Sequence, residues 1–423
     1  MLDIKFITEN TEKIRDSIHK RGVNSDLDSL LNYYTTRKSL MLNLENKRAE
    51  SNQVAKIIPK APAAEKQELV NKGRALNQEI STLEEELRKI DELYNEAMLT
   101  IPNLLADDTP LGESDEENVV LRTHLTPREF DFVPKDHVEI GKDLNLIDFD
   151  SGAKVTGAKF YFLKNEAVFL ELALKLFAMK IAAEFGYTTL ITPDLAKKSI
   201  MTGTGFSPRG DESNIYNLEG LDLSLIATAE ITVGGIHSDE IVDENKLPLK
   251  YVAESHCFRR EAGSGGKESK GLYRVHQFSK IELFQIVRPE DSEAALEEIL
   301  KIEETIYQKL QLPYRVVRIC AGDLGAAAFK KYDIEVWMPG RESDEKYGEV
   351  TSASNCTDFQ SRRLNIRYRD KDNKRVYPYT LNGTAIALSR TLMAILENYQ
   401  QKDGSIVIPE VLRPYIGKDI IAR

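Results

Sequence analysis

The stretch from Asp26 to Leu105 constrains this chain most, because it contains a single glycine and is dominated by Glu, Lys, Leu, Asn and Ala. Its second half places Leu76, Ile80, Leu83, Leu87, Ile90 and Tyr94 at alternating steps of four and three residues. That spacing keeps one face of an α-helix apolar and forms the seam of a coiled coil. The first half carries a weaker set: Leu27, Leu30, Leu31, Tyr34, Met41 and Leu44. Between the halves, Pro59 and Pro62 break the helical pattern, since proline lacks an amide hydrogen and clashes with the preceding turn. The pattern predicts an antiparallel hairpin of two helices with its tip near residues 58–65. Helices of about 30 residues at ~1.5 Å per residue would project on the order of 45 Å.

Charge is unevenly spread along this arm. Residues 45–74 carry a net +3, with Lys47, Arg48, Lys56, Lys60, Lys66, Lys72 and Arg74 as the basic residues, whereas residues 75–105 carry −5. The distal end is therefore basic on a chain whose net charge is −11. A polyanion gripped at a distance accounts for the contrast, and so does the solvated face of an ordinary coiled coil. The net charge argues against a nucleic-acid binder over the whole surface but leaves room for a local basic patch.

The rest of the chain reads as a mixed α and β region. Residues 106–118 form an acidic linker. A helix is expected over 165–185, followed by a strand ending at Pro193, whose missing N–H suits an edge or an interface. The segment from Met201 to Gly220 reads as a loop, and Thr228 and Glu230 fall near a strand end. A helix over 291–311 and strands around RVVRICAGD and KYDIEVWMP follow, so the sheet is expected to be mostly antiparallel. Glu349 and Ser352 lie close together beside a strand, and residues 341–348 form a surface loop. Near the end, a strand and turn at Leu381–Gly383 feed a helix whose apolar run is interrupted by Arg390. Arginine is rarely buried without a partner, so either an ion pair or a bound anion is expected there.

Glu254 to Phe284 reads as two strands joined by a Gly- and Lys-rich loop. Alternate residues share a face. One face of the second strand carries Arg274, His276, Phe278, Lys280 and Glu282, and Arg259 and Glu261 share a face on the first. Converging arginines, glutamates and an aromatic ring suit an anionic, ring-bearing ligand such as a nucleotide; a charged surface hairpin fits the same pattern. The chain has no apolar run that would span a bilayer and no signal-peptide core, so a cytoplasmic protein is expected. Cys257, Cys320 and Cys356 are far apart, which suggests neither a disulfide framework nor a cysteine zinc site.

Taken together, these stretches resemble a known family. The helix and strand ending in Pro193, Phe258-Arg259-Arg260-Glu261 with its loop, and the glycine-led helix carrying Arg390 resemble motifs 1, 2 and 3 of class II aminoacyl-tRNA synthetases. FRREAGSGGKESKGLYRVHQFSKIEL, TAE at 228–230, SNCTDFQSRR, RTLMAILENYQ and IPEVLRPY resemble the seryl-tRNA synthetase family in particular, and the arm matches too. The resemblance implies an α+β fold: an antiparallel sheet flanked by helices as catalytic domain (106–423), preceded by a coiled-coil tRNA-binding arm (1–105). It implies a homodimer formed partly through motif 1, serine activation by ATP with magnesium, and transfer of the seryl group to tRNA(Ser), with tRNA(Sec) where present.

Residue by residue, the same resemblance places Arg259 on the α-phosphate, Glu261 on the adenine amino group, Phe278 against the base, Arg274 on the phosphate tail and Arg390 on the γ-phosphate. Arg260, Val275, Val350 and Thr351 join the ATP-binding set, and Glu349 and Ser352 hold magnesium with the phosphates. Thr228, Ala229, Glu230, Arg259, Glu282 and Thr384 form the serine pocket, and Lys56, Lys60, Lys66, Lys72 and Arg74 contact tRNA. The chain departs from the family at Ile231–Gly235, where Pro and Thr are common, and at Ser389, where glycine is common. The chemistry needs no protein nucleophile, because the serine carboxylate attacks. It needs alignment of two anions and neutralisation of the charge on phosphorus, which permanently charged, forked guanidinium groups supply. A non-catalytic paralogue, a carrier-protein ligase and a coiled-coil scaffold are the competing readings; they predict lost site charges, a missing arm and no catalytic region respectively.

Overall fold

The computed structural model describes residues 1–206, 214–261, 270–341 and 346–423. The chain forms two compact units, Met1–Pro102 and Asn103–Arg423.

In the first unit two short helices, Ile4–Glu9 and Thr11–Lys20, precede the arm. The arm's first helix, α1 (Leu27–Ile57), starts where the Asp26 carboxylate accepts from the Ser29 amide at 2.9 Å and its hydroxyl at 2.6 Å, an N-cap. It ends in a single 3-10 turn at Ile58–Lys60, after which Pro62 opens α2 (Ala63–Thr100). At ~1.5 Å per residue the two helices are about 47 and 57 Å long. The seam of α2 falls on the expected residues, with Leu76 buried and Ile80, Leu83, Leu87, Ile90 and Tyr94 half-buried. On α1 the seam differs from the expected set. Met41 is exposed, and the half-buried or buried row runs through Leu30, Tyr34, Arg37, Leu40, Leu44, Lys47, Ser51 and Val54. Three polar residues occupy seam positions because α2 offers each a partner. Arg37 pairs with Asp91 at 2.5 Å, Lys47 with Glu79 at 2.6 Å, and Ser51 bonds Asn77 at 3.1 Å.

The second unit is built on an eight-stranded sheet. Its strands are β1 (Val119–His124), β2 (Thr188–Ile191), β3 (Leu249–Phe258), β4 (Gln277–Val287), β5 (Tyr314–Arg318), β6 (Lys330–Trp337), β7 (Tyr347–Asn355) and β8 (Tyr379–Ala387). They lie in the order β1-β5-β6-β7-β8-β4-β3-β2, and every pair is antiparallel except β2 with β3. β2 is an edge strand. Thr192 still donates to the Glu254 carbonyl at 3.2 Å, and Pro193, with no N–H, ends the ladder.

One face of the sheet is covered by α4 (Glu166–Glu184), α6 (Ser292–Lys309) and α7 (Leu388–Tyr399), with Leu170, Leu174, Ile281, Leu283, Leu296, Ile299, Ile334 and Leu392 in a continuous core. The numbering leaves α3 for His137–Asp143 and α5 for Ala229–Gly235. On the opposite face, Phe284 and Ile286 pack with Val233, Leu364 and Ile366 into a second, smaller core. Phe278 and the charged residues Lys280 and Glu282 precede them along the same face of β4. The sheet thus has a packed side and a side whose upper half is left open to a pocket.

Several local expectations are corrected. Lys198–Thr204 is a helix, where a loop was expected for its second half; residues 207–213 lie outside the described residues. The β3–β4 ladder ends at Phe258 opposite Gln277, so Arg259, Glu261, Arg274 and His276 lie beyond the strands. Glu261 adopts φ +48°, which leaves the strand geometry altogether. Its loop, 262–269, and positions 342–345 of the expected surface loop also lie outside the described residues. No turn occurs at Leu381–Gly383: β8 runs through Gly383 to Ala387, with a bulge at Ala385, and α7 begins only at Leu388. Among the described residues no helix is long and apolar enough to cross a membrane.

Candidate active site

The pocket on the open face is lined by Arg259, Glu261, Tyr273, Arg274, Val275, Phe278, Lys280, Glu349, Val350, Thr384, Ala387, Ser389 and Arg390. Three of its walls come from the two ends of the β3–β4 hairpin, from β7 and from the β8–α7 junction. Arg259 leaves the end of β3 with its amide bonded to the His276 carbonyl at 3.0 Å. Its guanidinium then folds over the Phe278 ring, 5.3 Å from the centroid. Arg274 reaches Glu261 at 3.2 Å, although neither is in a strand. Arg260 is exposed and does not line the pocket, while Val275 is 2% exposed and does.

Arg390 occupies the floor. Its Nη1 donates to the Glu349 carbonyl at 2.8 Å and lies 3.3 Å from the Glu349 carboxylate, and its Nε donates to the Tyr273 carbonyl at 3.2 Å. The same guanidinium stacks on the Tyr273 ring at 4.5 Å. Burial would push the Glu349 carboxyl up, but Arg390, Lys331 and Arg259 outweigh it and hold it well below the ordinary carboxylate value. So Glu349 is an anion at neutral pH.

A bulge in β7 decides which of its side chains reach the site. Ser352 pairs with Asp333, Thr351 with Ile334, and Glu349 with Glu335, leaving Val350 as the extra residue. In a regular strand residues three apart face opposite ways; the bulge puts Glu349 and Ser352 on one face beside Asp333. Thr351 goes to the other side, wholly buried, with its hydroxyl donating to Glu303 of α6 at 3.0 Å. Thr351 can therefore offer the pocket only its backbone.

Next to Lys280 and Thr384 of this lining lies a second cluster of acids. Thr228 is the N-cap of α5, its hydroxyl accepting from the Glu230 amide at 3.2 Å; the short strand Leu223–Leu225 ends just before it, as expected, and the helix follows. Ala229 is wholly buried and has no polar side chain. Both the Gln360 amide, at 2.6 Å, and the Asn382 amide, at 2.8 Å, donate to the same oxygen of Glu230, Oε1. Burial first, then the Glu282 charge, pushes the Glu230 carboxyl up to about 7. Glu282 stands opposite Thr384 in the β4–β8 ladder, and its Oε2 lies 2.5 Å from the Lys280 ammonium. Burial raises the Glu282 value as well, against the opposing pull of Lys280.

Sequence reasoning did not assign Lys280, Tyr273, Asp333, Gln360 or Asn382 to the site. Lys280 was in view as part of the polar face of β4. Asn382 alternates with Thr380 and Thr384 along β8, a polar row on a strand that is otherwise apolar. Gln360 carried no such signal, since its helix Phe359–Arg363 is short and its neighbours are charged. Among the described residues no group of three His, Cys, Asp or Glu could hold a metal by themselves. Glu349 and Ser352 nonetheless present two hard oxygen donors to one face, which suits a magnesium ion whose remaining ligands are phosphates and water.

A long buried helix layer, an antiparallel sheet with one open face and arginines from three segments around an acid-lined pocket define the class. Residues 216–399 match the family model for the tRNA synthetase class II core domain (G, H, P, S and T). Residues 1–105 match the seryl-tRNA synthetase N-terminal domain. The serine–tRNA ligases of Treponema denticola and Rubrobacter xylanophilus are 52% and 51% identical to the chain over 100% of it, covering 100% and 99% of their own lengths. The seryl-tRNA synthetase of Pyrococcus horikoshii, solved in complex with ATP, superposes with a TM-score of 0.90 at 40% identity, covering 100% of this chain and 99% of that one. The chain belongs to the seryl-tRNA synthetase family.

Proposed function

We propose that this chain is an active serine–tRNA ligase. It joins L-serine to ATP as seryl-adenylate, releases pyrophosphate, and passes the seryl group to the terminal adenosine of tRNA(Ser). The observation that carries the reading is the convergence of Arg259, Arg274 and Arg390 on one pocket, two of whose other lining residues, Lys280 and Thr384, contact the buried acid Glu282. A non-catalytic relative has no use for three cations and two buried carboxylates at one site. Named relatives that are serine–tRNA ligases, and one solved with ATP, support it.

In this reading the phosphates of ATP lie across Arg259, Arg274 and Arg390 with the base against Phe278 and Glu261. A bound triphosphate replaces Glu349 as the partner of Arg390, which frees the carboxylate for magnesium beside Ser352. Magnesium, when bound with the phosphates, neutralises charge on the pyrophosphate as it departs. The serine ammonium faces Glu230 and the Thr228–Ala229 backbone, and the serine hydroxyl meets Glu282 and Thr384. An oxygen of the serine carboxylate attacks the α-phosphorus, the bond from that phosphorus to the bridging oxygen breaks, and the electron pair leaves on pyrophosphate. Arg259 stabilises the charge on phosphorus in the transition state. A pocket built to hydrogen-bond a hydroxyl rejects alanine by about 10⁴-fold, whereas threonine is excluded by size, worth only about 1–3 kcal/mol per methylene.

The same reading makes the protein a cytoplasmic homodimer. Val168, Phe169, Leu172 and Leu176 of α4 stay exposed in a row, and Ile191 at the edge strand is 81% exposed, an apolar surface of the kind that a second subunit covers. Serine-dependent ATP–pyrophosphate exchange, run beside threonine, alanine and glycine, tests the assignment. Exchange with serine at rates well above the other three is the expected result; folded protein that exchanges with none of them is a non-catalytic relative.

A further inference from the structure

A buried pair away from the pocket ties together the segments that form its phosphate end. His137 begins α3 and is 4% exposed; Glu397, near the end of α7, is 1% exposed. Glu397 Oε1 accepts from the His137 amide at 3.1 Å and lies 2.8 Å from His137 Nδ1. Its other oxygen accepts from the Gly340 amide at 2.9 Å. On the far side of the ring, His137 Nε2 accepts from the Leu272 amide at 3.0 Å. Only the neutral tautomer with its proton on Nδ1 satisfies both sides at once. Gly271, at φ +60°, lets the chain come this close: a Cβ there would lie 2.0 Å from Nε2. Lys270 adds an ion pair to Asp136, the N-cap of α3, at 2.6 Å.

Each tethered segment leads directly into the pocket. Leu272 precedes Tyr273 and Arg274, and Gly340 precedes Arg341. Arg341 stacks on the Tyr273 ring at 4.6 Å from its centroid, as Arg390 does at 4.5 Å. Arg390 itself sits two turns before Glu397 on α7. We propose that His137 is a positioning residue for adenylate formation. Through Glu397 and Leu272 it locks the returning end of the β3–β4 loop to α7, so that Tyr273, Arg274 and Arg390 meet ATP in one arrangement. This rests on the reading of the pocket as an ATP site.

The test is ATP–pyrophosphate exchange by the full chain, with ATP and serine varied separately and rates normalised to active sites by titration. His137→Ala raises the KM for ATP by about 10–100-fold, the usual cost of losing a group that orients a ligand-binding residue, while the KM for serine stays within about twofold. His137→Gln, whose side-chain oxygen can replace Nε2 as acceptor for Leu272, recovers part of the loss and covers the case in which the alanine variant does not fold. A merely structural role lowers the titrated active fraction and leaves both KM values unchanged; that result, or equal increases in both, overturns the proposal. Native protein with no ATP-dependent exchange instead removes the ATP reading, and the inference with it.

Discussion

Glu230 presents an asymmetric carboxylate: both amides, from Gln360 and Asn382, bind Oε1, and Gln360 is itself fixed by the Thr380 hydroxyl at 2.7 Å and the Thr204 carbonyl at 2.9 Å. In the proposed reading Oε2 is then the oxygen that meets the serine ammonium. The sign of the resulting pH dependence follows from its raised value of about 7. Below it the group takes up a proton and cannot pair with an ammonium; above it the carboxylate is charged and can. The KM for serine in the exchange reaction is therefore expected to rise as pH falls from 8 to 6, approaching roughly tenfold per unit at the acid end. Glu230→Gln should abolish that slope while keeping KM high throughout. A native profile that is flat over this range would mean that another group receives the serine ammonium. The stability counterpart has the opposite trend: with its folded value raised, ionising Glu230 costs stability that is fully present at acid pH and lost as pH rises through about 7.

At the scale of elements, Glu303 makes a related case on a helix. The sequence pattern of 291–311 reads as amphipathic, and a glutamate there belongs by default to the solvated face. Glu303 is instead 0% exposed beneath the sheet, with Oε2 accepting from Thr351 and no hydrogen-bond partner for Oε1 among the described residues, and burial raises its carboxyl well above the ordinary value. Burial therefore makes it hold its proton to higher pH in the folded chain than in the unfolded one. Glu303→Gln keeps the shape and removes the titration, so its urea midpoint should match the native one below the ordinary glutamate value and exceed it increasingly as pH rises above that value, because the raised folded value makes ionisation cost the native protein alone. A midpoint that falls with the substitution at all pH values would show that the acid itself is needed. Elements whose pattern depends only on neighbours along the chain were legible in advance: the α2 seam, the alternating faces of β4, the edge strand stopped by Pro193. What was not legible depends on the partner. The α1 seam was weak because Arg37, Lys47 and Ser51 occupy it, and only α2 explains why they can. The bulge at Val350 brings Glu349 and Ser352 to one face, and the one at Ala385 carries β8 past the expected turn; neither has a marker in the sequence. The site's arginines were readable as types, whereas Lys280, Gln360 and Asn382 became site residues only when distant segments met.

For the molecule as a whole, the charge contrast along the arm now separates into two parts. Lys47–Glu79, Arg48–Glu84 and Lys72–Glu50 join basic residues to acidic ones across the two helices, at 2.6, 2.7 and 2.9 Å. Those pairs explain much of the asymmetry as cohesion of the arm, and exposed pairs of this kind are each worth about 0–1 kcal/mol. Lys56, Lys60, Lys66 and Arg74 remain: they are exposed and take part in no ion pair among the described residues. We propose that these four cations, in the turn at 58–62 and on the helices either side of it, meet a phosphate backbone. If the arm serves tRNA and the second unit makes the adenylate, the two activities should separate. Replacing these four residues together with glutamate should leave serine-dependent pyrophosphate exchange within about twofold and raise the KM for tRNA in aminoacylation by more than tenfold. Loss of the contacts should also flatten the salt dependence of tRNA binding by roughly 0.7–0.9 in log–log slope per phosphate no longer neutralised. Lys72→Ala, which removes a residue already paired with Glu50, should change that slope less than Lys60→Ala. Equal damage to exchange and charging by the fourfold variant would place the arm's cations in the folding of the protein and not in its grip on tRNA.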